Sequence, residues 1–181
     1  FRTRGNHKRG MGDVMGSLAI ADACRDRNPG DAITFIVDND KEAIAAVLDA
    51  AFKVQVADSL EQEITQVKEI SPRVIVVNMY KNDAERLKLL KENTRLLVAI
   101  DDPSDAARWA DIRVNPLYYI DDAVTDPAYV ALRKEFIRAN KTGKVIKDKV
   151  ETILVTQGGA DTYGFLPKII GALDGIERDS R

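Results

Sequence analysis

Cysteine and histidine are nearly absent from this sequence, which holds one of each in 181 residues, Cys24 and His7. A single thiol cannot build a disulfide framework, so the small, stapled secreted class is excluded. One His and one Cys also fall short of a zinc-type ligand set, and no metal site or cofactor is expected. Long apolar runs are missing too. There is no stretch of ~18 apolar residues and no charged segment leading into a short apolar core, so neither a membrane span nor a secretory signal is indicated. The expected location is the cytoplasm. Charge excess of either sign is lacking: 27 Lys and Arg stand against 29 Asp and Glu, for a net charge of -2. The two signs are interspersed, so no basic face suited to a nucleic-acid backbone is visible, and nucleic acid is set aside as a partner.

What is present is the composition of a soluble globular protein, 45% apolar and 31% charged, with length for one well-buried domain and part of another. Short β-branched runs at 32–37, 53–56, 74–77, 96–100 and 112–114 alternate with helical stretches at 13–27, 41–51, 59–70 and 82–92. That alternation predicts an α/β fold, a Rossmann-like doubly wound parallel sheet with helices on both faces. The runs at 74–77 and 96–100 are apolar without alternation, as in strands buried on both faces, and are expected at the sheet's centre. Phe1-Arg2-Thr3 reads as the end of a strand whose earlier residues are missing. Tyr129, Leu132, Phe136 and Ala139 recur at helical spacing, which predicts one long helix from Asp126 to Asn140 with a core-facing stripe. A lysine-rich stretch, 141–149, then interrupts the pattern before an apolar strand, Thr152 to Thr156, and a helix near 166–173. The domain boundary is drawn there, with residues 1–148 as the first domain and 149–181 as the start of a second.

Two glycine-rich loops lie between strand and helix, where an open α/β sheet binds its ligands. The first, Arg4 to Asp13, offers Gly10 and Gly12 for close approach of a ligand and a helix N-terminus for an anion. Its spacing fits neither the dinucleotide fingerprint nor a Walker loop, and a purely structural turn is the competing reading. Asp13 can cap the helix or act as a general base, with the helix terminus expected to lower its pKa. His7 is either solvated or a ligand contact. Asp101 and Asp102 end a central strand where they can contact a sugar, or cap a turn; adjacent side chains diverge, so both are not expected to reach one atom. The second loop, Gln157 to Thr162, presents Gly158, Gly159, Asp161 and Thr162 as a candidate phosphate cradle.

Taken together, Gly5-Asn6-His7 through Gly10-Met11-Gly12-Asp13, Ile100-Asp101-Asp102, Ala110-Asp111 with Asn115-Pro116, Leu132-Arg133-Lys134-Glu135-Phe136 and Val155-Thr156-Gln157-Gly158-Gly159-Ala160-Asp161 resemble the UDP-sugar hydrolases of pseudaminic acid biosynthesis and the related spore-coat polysaccharide biosynthesis proteins. The resemblance implies a two-domain glycosyltransferase-B fold, with the sugar at the interdomain cleft and the nucleotide held chiefly by the second domain. It implies a UDP-sugar as partner, and hydrolysis or transfer as the reaction. Where the hydrolases carry the histidine that activates water, this chain has Asp13, and Asn78 stands where the family usually has an aspartate. The expectation is therefore a nucleotide-sugar-processing enzyme with Asp13 as base, Gly10, Gly12, His7, Asp101 and Asp102 toward the sugar, and the second loop toward the diphosphate. A non-catalytic sugar-nucleotide binding or scaffold protein is the alternative. Because the family extends well beyond the second loop, weak UDP binding and little activity are expected of these 181 residues alone.

Overall fold

The computed structural model describes residues 1–117, 119–143, 145 and 147–175. Six strands form one parallel sheet: β1 (Arg2–Thr3), β2 (Thr34–Val37), β3 (Lys53–Val56), β4 (Val74–Asn78), β5 (Leu96–Ile100) and β6 (Ile112–Val114). Their spatial order is β3-β2-β1-β4-β5-β6. The helices α1 (Gly12–Arg27), α2 (Lys41–Asp49), α3 (Leu60–Ile70) and α4 (Ala84–Glu92) connect consecutive strands up to β5. The Rossmann-like doubly wound fold is thus present, with strands and helices close to the bounds their apolar patterns predict.

Alternation within β2 shows how the layers are built. Phe35 and Val37 point to a core shared with Val14 and Leu18 of α1 and with Ala43 and Val47 of α2. Ile36, one residue out of phase, joins Ile64 and Val67 of α3, Leu87 and Leu90 of α4, and Ile75 and Val77 on the opposite face. The period of two along the strand therefore feeds both helix layers. Helices α2, α3 and α4 start at side-chain caps: Asp40 accepts from the amides of Glu42 and Ala43, Ser59 from Gln62, and Asp83 from Arg86. Each satisfies amides that the first helical turn leaves without partners. Among the described residues, no helix is long and apolar enough to cross a membrane.

Three expectations need correction. The centre of the sheet is β1 with β4, not the pair of runs at 74–77 and 96–100, because the two-residue β1 inserts between β2 and β4 and displaces β5 outward. The stretch 126–140 is not one helix. A 3₁₀ turn, Pro127–Tyr129, leads through extended backbone at Val130 and Arg133 into a short α5, Lys134–Asn140. Tyr129, Leu132 and Phe136 stay 61%, 55% and 52% exposed, so no packed layer rewards a continuous helix there. Thr152–Thr156 pairs with no strand in the described sheet, and Leu154 is exposed. β propensity without a neighbouring strand leaves the backbone unpaired. The helix that follows does form, as α6, Phe165–Asp174.

A buried charge network ties the two halves of the sheet to the helices beneath them. Arg2, 4% exposed, pairs through Nε with Glu63 Oε2 on α3 at 2.9 Å and through Nη2 with Asp38 Oδ1 at 2.6 Å. Arg86 of α4 also reaches Glu63, at 3.2 Å. Removing one partner of a buried pair leaves the other desolvated and uncompensated. Glu63→Gln is expected to destabilise the protein by about 3 kcal/mol in urea unfolding; a loss below about 1 kcal/mol would show the network to be dispensable.

Candidate functional site

The strand order reverses direction between β1 and β4, and at such a point the loops leaving the two strands diverge and open a crevice at their carboxyl ends. The loop leaving β1 is closed on itself. Asn6 and Gly10 exchange backbone hydrogen bonds at 3.2 and 2.7 Å, and Asn6 Oδ1 accepts from the amides of Lys8 and Arg9. Gly10 has φ +89°, and a Cβ on Gly5 would lie 2.9 Å from Val14 Cγ2, so both positions require glycine. Gly12 is the first residue of α1. No side chain caps this helix, and Asp13 sits within its first turn instead of at the cap.

Asp13 is held from the end of β4. Asn78 Nδ2 donates to its backbone oxygen at 3.0 Å, and the Tyr80 backbone amide lies toward its carboxylate and favours the charged form. Arg4 Nη2 in turn donates to the Tyr80 carbonyl at 2.7 Å. Burial pushes the Asp13 carboxyl above the usual carboxylate range, and the nearby Asp101 charge adds to that push. The Tyr80 amide and the Arg4 and Arg9 guanidiniums pull the other way and are outweighed. The expected lowering by the helix terminus is therefore reversed, because a half-buried carboxylate at this uncapped turn loses more hydration than the helix returns.

Asp101 and Asp102 do part company. Asp101 follows β5 with φ +54°, faces the same crevice as Asp13, and is also shifted upward by burial. Asp102 is 1% exposed and turned inward. Its Oδ2 accepts from Asn82 Nδ2 at 2.8 Å and its Oδ1 from the Ser104 amide at 2.9 Å, so it braces the two loops and does not line the crevice.

The crevice encloses about 510 Å³, within the range of small-molecule sites. Its floor is a row of residues in register across three strands, Asn78, Ile100 and Val114. Asp13 and Asp101 supply the acidic side, and the segment from Tyr129 to Phe136 forms the facing wall. Arg133 lies on that wall with its guanidinium 4.8 Å from the Phe136 ring centre. The stripe expected to enter the core thus lines the cavity. Sequence reasoning missed this wall, although the Leu132-to-Phe136 motif marked the place, and it missed Asn78 as a contact of Asp13.

The second glycine loop meets the first. Thr162 Oγ1 donates to the Lys8 carbonyl at 3.0 Å, and a Cβ on Gly159 would come within 3.4 Å of the Met11 amide nitrogen. Gly158 has φ +75°. Asp161 is already engaged: its two carboxylate oxygens accept from the Phe165 and Leu166 amides at 2.8 and 2.9 Å, capping α6. A carboxylate on the first amides of a helix repels a phosphate there, so Asp161 is a cap and not a phosphate ligand. His7 projects into solvent, 88% exposed, with Glu42 3.9 Å away. Among the described residues, no three His, Cys, Asp or Glu side chains gather as a metal site. The arrangement can hold hydroxyl-bearing ligands against Asp13 and Asp101, apolar and aromatic surface opposite, and an anion near Arg4, Lys8 and Arg9.

The raised Asp13 pKa has a stability consequence. The folded state holds this proton more tightly than the unfolded chain, so the associated stabilisation is complete below the unfolded value of 3.8 and is lost as pH rises through the folded value. Asp13→Asn removes the buried charge and keeps an acceptor for Tyr80. It is expected to raise the melting temperature at pH 7, with the difference vanishing below pH 3.8. Thermal melts across that range check it, and a less stable variant at pH 7 would contradict it.

No protein-family model and no solved structure matches the chain. Over an alignment that covers 98% of the chain, it is 25% identical to an uncharacterised protein of Methanocaldococcus jannaschii. The chain spans 40% of that protein's length.

Proposed function

We propose that this chain is the sugar-binding part of a nucleotide-sugar-processing enzyme, a UDP-sugar hydrolase or glycosyltransferase of surface polysaccharide or nonulosonic acid biosynthesis. The observation that carries this reading is the Asp13 carboxyl, half-buried on the crevice at the switch point and raised in pKa by that burial. A base for displacement at a sugar carbon works best when its pKa approaches the working pH, and Asp13 is shifted in that direction. In the proposed reaction Asp13 takes the proton of water, or of an acceptor hydroxyl, as that oxygen attacks the anomeric carbon. The bond from that carbon to the diphosphate breaks, and the electron pair leaves with UDP. Asp101 orients hydroxyls of the sugar. In this reading the backbone amides of the two glycine loops, around Gly10, Gly12, Gly158 and Gly159, supply hydrogen-bond donors to the leaving diphosphate, and Thr162, bonded to the Lys8 carbonyl, holds the loops together. The motif resemblance adds the nucleotide-sugar class to this geometry, and its family-level detail is part of the proposal.

Release of UDP from a panel of UDP-sugars, assayed on the whole protein, tests the reading. Asp13→Asn is expected to lower turnover by about 100-fold or more while sparing nucleotide binding. Turnover that is undiminished in the variant would remove Asp13 from the chemistry. Binding without UDP release across the panel would favour a non-catalytic sugar-nucleotide binding protein.

A further inference from the structure

We propose that Asn78 is the positioning residue of the Asp13 site, holding the first turn of α1 from the end of β4 through a contact that needs an N–H donor, which an aspartate of the same shape lacks. The inference rests on Asp13 being the base. Asn78 is the last residue of β4, 3% exposed, and part of the crevice floor. Its Nδ2 lies 3.0 Å from the Asp13 backbone oxygen, which also accepts from Ser17 Oγ at 2.7 Å. A carbonyl can only accept, so the amide must present its NH2 to α1.

The helix is shaped to receive that amide. Gly16 follows Asp13 on the same side of α1, and a Cβ there would stand 3.2 Å from Asn78 Nδ2, closer than most real Cβ contacts. Any side chain at that position pushes the amide away from the Asp13 carbonyl. Two residues later the Tyr80 backbone amide lies toward the Asp13 carboxylate. The stretch from Asn78 to Tyr80 thus faces both the backbone and the side chain of Asp13, with the Asn78 amide making the hydrogen bond.

An aspartate at position 78 would have the same shape and the opposite effect. It has no N–H to give the Asp13 carbonyl, and its charge would add to a balance in which Arg4 and Arg9 face Asp13 from the preceding loop and Asp101 faces it from the end of β5. Among the described residues that line the cavity, Arg133 on the facing wall is the cation. A further carboxylate raises the proton affinity of Asp13 and leaves less of it ionised to act as base.

The test is a carbon-13 NMR titration of the aspartate carboxyls in the wild type and in Asn78→Asp, with the Asp13 resonance identified by its loss in Asp13→Asn. The Asp13 midpoint is expected to rise by about one pH unit in Asn78→Asp, and the acid limb of the pH–rate profile to rise with it. A correctly folded Asn78→Asp variant whose Asp13 titrates at the wild-type midpoint would overturn the proposal. Gly16→Ala provides a second arm that keeps Asn78 itself and is decisive if Asn78→Asp does not fold. It is expected to lower kcat about ten-fold with KM little changed, as displacement of a positioned base requires, and unchanged kcat would overturn the proposal. Absence of UDP release from every substrate defeats the base assignment instead, and the titration still reports whether Asn78 governs Asp13.

Discussion

The pairing of a two-residue strand with neighbours on both sides is the constraint on which the rest of this structure depends. Arg2 aligns with Ile36 of β2 on one side and Val77 of β4 on the other, and Thr3 aligns with Asn78. Side-chain contacts hold β1 in place alongside its ladder. The Phe1 ring stacks on Phe35 at 5.1 Å, and Arg2 is anchored by Glu63 and Asp38. The strand order turns about this insertion, and the turn opens the crevice above Thr3 and Asn78. Fold and site therefore share one dependence: shifting β1 moves the glycine loop relative to the end of β4, and Asp13 relative to Asn78 and Tyr80.

At the site itself, two effects of comparable kind act on the Asp13 carboxyl. A helix N-terminus and two guanidiniums favour the charged form, while desolvation and the Asp101 carboxylate favour the neutral one. Burial prevails because the first turn of α1 packs against the end of β4, where Asn78 holds it. Asp101 sits in the left-handed region with φ +54°, a backbone conformation that aspartate tolerates better than most residues. Its neighbour Asp102 spends both oxygens on holding Asn82 and Ser104. One carboxylate of this adjacent pair faces the crevice because the other secures the loops that form it.

Much of this was legible in the residues, and the failures have physical causes. Strands at 53–56, 74–77 and 96–100 and the helices between them follow from apolar spacing, because each has a layer to pack against. The order of strands was not legible, since β1 contributes only two residues and no periodicity. The wall from Tyr129 to Phe136 carried helical spacing and was read as core, but spacing says which residues share a side and not whether that side meets protein or a cavity. Thr152 to Thr156 has strand composition and no strand beside it. Asp13 was found by its position after the glycines, while the direction of its pKa depended on how deeply β4 covers it. Asn78 stood out only as a departure from the resembled family's aspartate; its role depends on contact with a residue sixty-five positions earlier.

The central claim is that the crevice between the ends of β1 and β4 is where a sugar binds, with Asp13 against its reacting carbon. A crystal structure of the whole protein with an unreactive UDP-sugar analogue tests it most directly. The account predicts the sugar ring over Asn78, Ile100 and Val114, with Asp13 and Asp101 on its hydroxyl side and Tyr129 or Phe136 across from them. A ligand seated instead in the groove that α1, α2 and α5 form around Phe52 and Arg138, with the crevice empty, would contradict it.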